Sequence, residues 1–407
     1  MITYADKIFD FSGTIVAPLH DRRPQPRIPT AVLVKSAMVL FWARLGSLNS
    51  WELSRPSRFW KSWLGQAPAS ADTLGRVHVG LDADGLRQAI HHVYDRLKRN
   101  KALPDQPGLG VAVLDGHESH ASYLRHCPAC LLRTVSIAGQ ERIQYYHRHV
   151  SLMLLPGSAA GRKPLRLLLD LELQRPGEDE VSCALRLLTR VLQHYARAFD
   201  LVLADALYAQ APFFNFLLAQ GKHALVVLKD QRRDLYQDSA GLFTAMPPQL
   251  GTYRSRQCSW WDVSDLHSWP QVDGPLRVVR SQETYSVKRQ QDAKTERLAT
   301  EWIWVTTLPA SQVSTERVVQ LGHQRWDIEN CAFNELVNHW HADHIYKHEG
   351  NAIECFLLEI FLAFDIFHAF LARNVKLHLQ GKRTVKFWAE LIAAELRAKT
   401  LPTLLPP

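Results

Sequence analysis

Two aspartates stand in the same local setting. Asp115 closes the apolar run in VAVLDG, and Asp205 closes the run in LVLADALY. Such runs predict short buried strands, and in open α/β sheets ligands bind beside the carboxyl ends of strands. Two carboxylates presented there can converge on one cation. Mg²⁺ takes oxygen ligands and is usually held by one or two carboxylates plus substrate phosphates. A third carboxylate would complete a pair of ion sites suited to phosphoryl transfer. Glu329, which follows Arg325 with three residues between them in a predicted helix, is the best candidate. Asp170, Glu172, Glu118, Asp230, Asp327 and Glu335 compete with it, and composition does not choose among them. An aspartate at a strand end is also a common turn residue.

A second cluster is softer in character. HESHASYLRHCPACLLR holds Cys127 and Cys130 as C-x-x-C, half of a zinc site. The other ligands would come from His117, His120 and His126, or from His147 and His149 in YYHRH. A structural zinc is therefore a candidate cofactor, and a reduced cysteine pair in a turn around Pro128 is the alternative. The other cysteines, Cys183, Cys258, Cys331 and Cys355, are scattered. The opening MITYADKIFDF carries no secretory h-region, so a disulfide framework is not expected and a cytoplasmic protein is. His339, Trp340, His341, Asp343, His344 and His348 crowd one stretch; such residues can ligate a metal, but more often they cap and pack a helical hairpin.

These residues need elements to position them. Residues 1–28 look loosely structured and end in HDRRPQPRIP. Thr30 is a plausible N-cap for a helix over 31–45. SADTLGRV suggests a short helix capped by Ser70 or Asp72. Leu86, Ala89, Ile90, Val93 and Leu97 fall on one face of a helix over 84–99, whose exit is basic through Arg96, Lys98, Arg99 and Lys101. A linker is expected at 103–110. Strands follow at 111–114, 142–155 and 165–173. GEDE at 177–180 then opens an amphipathic helix, its acids placed where the helix dipole favours them. A strand ends at Asp205, a short helix covers 209–220, and another strand covers 223–229. Three strands followed by alternating helices and strands imply α/β architecture, a mixed sheet flanked by helices. Residues 230–308 read as a β-rich insertion ending in EWIWVTTL. A helix is expected from Ser314 or Thr315 through Trp340, another over 352–373, and a third over 384–398.

The chain has 407 residues, formal net charge +8 and ordinary hydrophobic content. That length suggests two or three domains, and the mild basic excess suits a polyanion partner. The longest apolar stretch is taken as Ala31–Leu45, broken by Lys35 and Arg44. A span needs roughly 20 apolar residues, so no membrane association is expected. In the insertion, Trp260, Trp261 and Trp269 lie among Arg254, Arg256, Arg277, Arg280, Lys288 and Arg289. Such a group can stack bases and track phosphates, although any single Trp is better read as packing a small β-core.

The stretch HQRWDIENCAFNELVNHWHADH resembles the C-terminal signature of insertion-sequence transposases of the IS-four type, in the DDE superfamily. VLDG and LADALY resemble its first two acidic motifs, and the β-rich insertion lies where that group carries one. The resemblance covers about 108–370. The signature runs Tyr, two residues, Arg, three residues, Glu, six residues, Lys. Arg325 and Glu329 match it, whereas Gly322 stands at the Tyr position and Leu336 at the Lys position. In the family the flanking Tyr and Lys help hold DNA phosphates near the cut; Lys347 and His339 are candidates to take that place here.

The resemblance implies an RNase H-like core. It implies two Mg²⁺ (or Mn²⁺) ions held by Asp115, Asp205 and Glu329, with Arg325 on a DNA phosphate. It implies a DNA transposase that cleaves element ends and joins them to target DNA, with double-stranded DNA as partner and a homodimer at synapsis. The expected divisions are an N-terminal helical, DNA-binding domain over 1–105, a catalytic domain over 106–378 with its insertion at about 234–308, and a C-terminal helical tail over 379–407. Two other functions fit the same residues: a non-catalytic, zinc-stabilised DNA-binding protein derived from a transposase, and an RNase H-like nuclease without strand transfer. In all readings the three carboxylates are expected to converge if the chain is catalytic.

Overall fold

The computed structural model of the chain describes residues 1–103, 109–155, 165–288, 295–380 and 382–398. Most of the expected linker at 103–110 lies outside them. In chain order the elements begin with six helices: α1 (Ile2–Phe9), α2 (Thr30–Trp42), α3 (Leu48–Ser54), α4 (Arg58–Leu64), α5 (Ala71–His78) and α6 (Ala83–Arg99). Then come β1 (Val111–Ser122), β2 (Leu131–Ile137), β3 (Gln140–Leu155), β4 (Leu167–Leu173), α7 (Glu180–Tyr195), β5 (Leu201–Ala204), α8 (Ala211–Ala219) and β6 (His223–Val227). The insertion follows as α9 (Asp234–Thr244), β7 (Gln249–Tyr253), β8 (Arg256–Leu266), β9 (Leu276–Lys288) and β10 (Thr295–Thr306). The chain closes with α10 (Thr315–Gln324), α11 (Asn334–Trp340), α12 (Gly350–Arg373) and α13 (Val385–Ala398). Strands and helices in this order make a mixed α/β fold, consistent with the RNase H-like expectation.

The chain divides into two compact units. The first takes Met1–Gly108, Gly116–His194 and Glu329–Pro407; the second takes Leu109–Asp115 and Tyr195–Ile328.

In the first unit α12 is the core helix. It packs against α2, α5, α6 and β4, and almost every residue from Ala352 to Ala369 is buried. By length and composition α12 would qualify to cross a membrane, so Ala31–Leu45 is not the longest apolar stretch after all. The apolar window of α12 is 89% buried inside the fold, and a helix apolar all round is one that is enclosed. β3 pairs antiparallel with β2 along its first half and with β4 along its second. β4, LLLDLEL, is buried along nearly its whole length. Its two acids are therefore paired: Asp170 with Arg87 and Arg190, and Glu172 with Arg186 and Arg190.

In the second unit the strand order is β1-β5-β6-β10-β9-β8-β7. β1, β5 and β6 run parallel, and β10 joins β6 antiparallel. The four residues of β5 are all buried, as a strand flanked on both sides by parallel neighbours should be. The insertion is a meander of long antiparallel strands, and its last strand is itself part of the sheet core.

Several expectations need correcting. Residues 1–28 are structured: α1 and the π-helical turn Phe11–Val16 bury Phe9, Phe11 and Val16. The following stretch is organised by Asp21, which accepts from the Arg23 backbone and guanidinium and from the Thr30 hydroxyl. Those bonds hold its carboxyl down at about 2, and such polar order has no periodicity to read. Thr30 is the first helical residue of α2; the cap is Pro29. β2 is a fourth early strand that local pattern does not announce, because its burial alternates poorly and most of its residues are exposed. β1 runs on past Asp115 to Ser122. The helix expected from 314 to 340 is broken after Gln324 and resumes through a π-helical turn, Glu329–Phe333, into α11. Ser314 caps α10 and Ser70 caps α5, each accepting a backbone N–H three residues on.

Candidate active site and candidate metal centre

The acidic site is built by strand register. β1 and β5 pair with Val111 opposite Leu201, Ala112 opposite Val202 and Val113 opposite Leu203. Continued by two residues, the same register sets Asp115 level with Asp205. Neighbouring strands lie about 4.8 Å apart, and residues level in register with equal parity face the same side of the sheet. Asp205 keeps extended backbone and caps the short 3₁₀ turn Ala206–Tyr208, accepting the Leu207 N–H at 2.8 Å. That bond fixes one carboxylate oxygen. Asp115 is nearly buried.

Arg325 enters from the end of α10. Its Nη1 donates to Asp115 Oδ2 over 3.4 Å, long for a bond between charges, and its guanidinium lies over the Trp326 ring. A cleft of about 370 Å³ opens here, lined by Asp205, Lys229, Tyr236, Trp302, Arg325 and Trp326 among others. It combines two acids, Asp205 and Glu301, two cations and three aromatic faces. The donor set of Asp115 and Asp205 is all oxygen, which fits a hard cation such as Mg²⁺.

Glu329 belongs to the first unit, where it opens the π-helical turn Glu329–Phe333. Among its competitors, Asp170 and Glu172 are taken up by arginines as described. Glu118 pairs with Arg133, Asp230 with Arg232 and Arg233, and Glu335 with His368.

The two signature positions that depart have structural reasons. A Cβ at Gly322 would come within 2.4 Å of the indole of Trp304, which is itself buried in β10. Trp304 thus occupies the room a tyrosine would need. Leu336 is 2% exposed, a core position closed to a lysine ammonium. The candidate substitutes His339 and Lys347 belong to the first unit, as Glu329 does.

The basic and aromatic residues of the insertion divide. Arg277 is 2% exposed, paired with Asp262 and donating to the Val313 carbonyl. It is structural, contrary to a DNA-facing role. Arg256 and Arg280 pair with Glu283 and Glu301, while Arg254 and Lys288 are exposed. Arg289 lies outside the described residues. Trp260 is buried, and Trp269 packs on Phe214 under Arg233.

In the first unit the cysteine pair has found partners. Cys127, Cys130, His147 and His348 each offer a ligand atom, all within 4.8 Å of one another. Of the candidate histidines whose side chains are described, at 117, 126, 147 and 149, only His147 belongs. His117 and His149 pack against each other and against Phe333. Burial pushes both down, His149 to about 3, so they stay neutral. His126 stacks on Tyr145, and the His120 side chain lies outside the described residues. His348 joins the cysteines instead of only packing a helical hairpin. It is far from Cys127 in sequence, and no local signal links the two. Burial lifts the Cys127 thiol to about 11.

Residues 164–366 match the family described as the transposase DDE domain. The match takes in Asp205, Arg325 and Glu329 and begins after Asp115. It supports a DDE transposase, an enzyme class of nuclease and transposition activity whose partner is DNA and which generally uses a divalent metal. No curated protein matches the chain.

Proposed function

We propose that the chain is an insertion-sequence transposase, of the IS-four group, that cuts DNA at element ends and transfers the freed strand into target DNA. The observation that carries this reading is the placement of Asp115 and Asp205 two residues beyond the paired stretch of the parallel strands β1 and β5, beside a cleft that contains Asp205 and Arg325. Asp115, Asp205 and Glu329 are the carboxylates assigned to two Mg²⁺ ions; Glu329 is carried by the Arg325-anchored signature. Bound there, such ions would supply charge to the scissile phosphodiester and to its attacking and leaving oxygens.

The chain's own residues do the rest. Leu207 N–H holds the Asp205 carboxylate in one orientation. Arg325, kept at the cleft by Asp115 and the Trp326 face, offers a planar fork to a phosphate. Lys229 adds a second positive charge on the same wall. The aromatic lining of Tyr236, Trp302 and Trp326 gives stacking faces for nucleotides near the cut. The protein acts in the cytoplasm, on double-stranded DNA, as a dimer when two ends are joined.

The test is strand cleavage on labelled element ends with Mg²⁺. Asp115→Asn, Asp205→Asn and Glu329→Gln are each expected to lower cleavage by about a hundred- to a thousandfold, the scale on which loss of a principal electrostatic group acts, while binding of the same DNA persists. Full cleavage by any one variant removes that residue from the site. Cleavage without joining would favour the nuclease reading.

A further inference from the structure

We propose that Cys127, Cys130, His147 and His348 form a closed tetrahedral zinc centre that fastens the start of α12 to the turn between β1 and β2 and to β3.

The separations carry the assignment. Zinc binds sulfur at about 2.3 Å and imidazole nitrogen at about 2.0–2.1 Å, so a regular S₂N₂ tetrahedron has edges of about 3.8 Å (S–S), 3.3 Å (N–N) and 3.6 Å (S–N). The two sulfurs here are 3.8 Å apart. The two Nε2 atoms are 3.3 Å apart. Cys127 Sγ to His147 Nε2 is 3.5 Å, Cys130 Sγ to His147 Nε2 is 3.3 Å, and Cys130 Sγ to His348 Nε2 is 3.3 Å. Five edges from three stretches of chain therefore agree with one polyhedron.

Neither a disulfide nor hydrogen bonding accounts for this cluster. A disulfide needs sulfurs about 2.05 Å apart, and both cysteines are free. His147 Nε2 faces two sulfurs and a second Nε2 at once, and a ring nitrogen carries at most one proton. Four ligand atoms turned toward a common centre are what a cation would gather. With two soft sulfurs and two imidazoles, the tetrahedral set favours zinc over Mg²⁺. Four protein ligands leave no open position, so the role is structural.

The local chain is shaped for it. Cys127 N–H points at Cys130 Sγ at 3.2 Å, and Cys130 N–H closes the turn onto the Cys127 carbonyl at 3.1 Å. Cys130 and His147 are buried. His348 stands just before Gly350, the first residue of α12, and a Cβ at Gly350 would already press on Ala129 between the two cysteines. The centre thus fixes where the core helix begins.

The full-length chain, purified without chelator, should contain roughly one zinc per chain, the stoichiometry of a single closed site. Replaced by Co²⁺, it should show tetrahedral d–d bands and a thiolate charge-transfer band. Cys127→Ser is expected to lose the metal. His348→Cys guards against a variant that merely unfolds: it should keep the metal and shift the Co²⁺ spectrum toward three sulfurs, whereas His126→Ala should change nothing. A folded wild-type chain that carries no zinc and takes up no Co²⁺ overturns the proposal. So does an unchanged Co²⁺ spectrum in His348→Cys. Neither readout depends on DNA cleavage, so the centre and the acidic site stand or fall separately.

Discussion

Gly322 shows how one residue can separate a family signature from the chain that carries it. The signature wants a tyrosine there, and the Trp304 indole fills that space. Even a methyl group must displace a buried ring, and overpacking of this kind costs about 1–3 kcal/mol. Gly322→Ala should therefore lower the urea midpoint with no change in slope. Shrinking the neighbour in the same chain, Trp304→Leu, should give back part of the loss, so the two substitutions couple in a double-mutant cycle. Strict additivity would mean that the ring is not what excludes a side chain at 322. Arg325 stays in place while the tyrosine is lost because Arg325 is positioned by Asp115 and Trp326, neither of which needs position 322.

At the scale of elements, α12 has the most to explain. It is a long apolar helix that nonetheless contains Asp365, 2% exposed, whose Oδ1 accepts the Leu168 N–H at 3.0 Å. Burial raises this carboxyl well above its usual range, so the fold favours its protonated form. The unfolded chain releases that proton above about pH 4. Above that pH, and up to the raised pKa of the fold, the folded state binds the extra proton, so stability from this group is present at low pH and falls as pH rises. Asp365→Asn keeps an acceptor for Leu168 and cannot ionise. Its gain over the wild type should grow from pH 4 to pH 8 in urea titrations; parallel stability curves would show that Asp365 is already ionised in the fold. The elements themselves were mostly legible. The period of α6, the acids opening α7 and the buried runs of β4 and β5 are repeated local patterns, and hydrophobic periodicity reads those. What escaped was held by single polar contacts or by distant partners: Asp21 ordering the N-terminal segment, β2 existing through its pairing with β3, and the break after Gln324.

At the scale of the whole molecule the two candidate centres differ in how far sequence reached. Asp115 and Asp205 announced themselves by ending apolar runs, and the strand register then set them level. His348 did not, because its partners at 127, 130 and 147 meet it only once the chain has folded back on itself. The basic balance of the chain, +8, belongs to this scale as well, since DNA affinity comes chiefly from cations that displace counterions along the duplex. Asp205 on the cleft wall, and Asp115 against Arg325, place negative charge beside the cations Arg325 and Lys229. In Mg²⁺-free buffer the Asp115→Asn, Asp205→Asn chain should therefore bind duplex DNA at least as tightly as the wild type. Its dependence on salt should have the same slope, because no phosphate contact has been removed. Adding Mg²⁺ should tighten the wild type more than the double variant. A double variant that binds more weakly, or with a shallower salt slope, would mean that the two aspartates hold the binding surface together rather than hold metal.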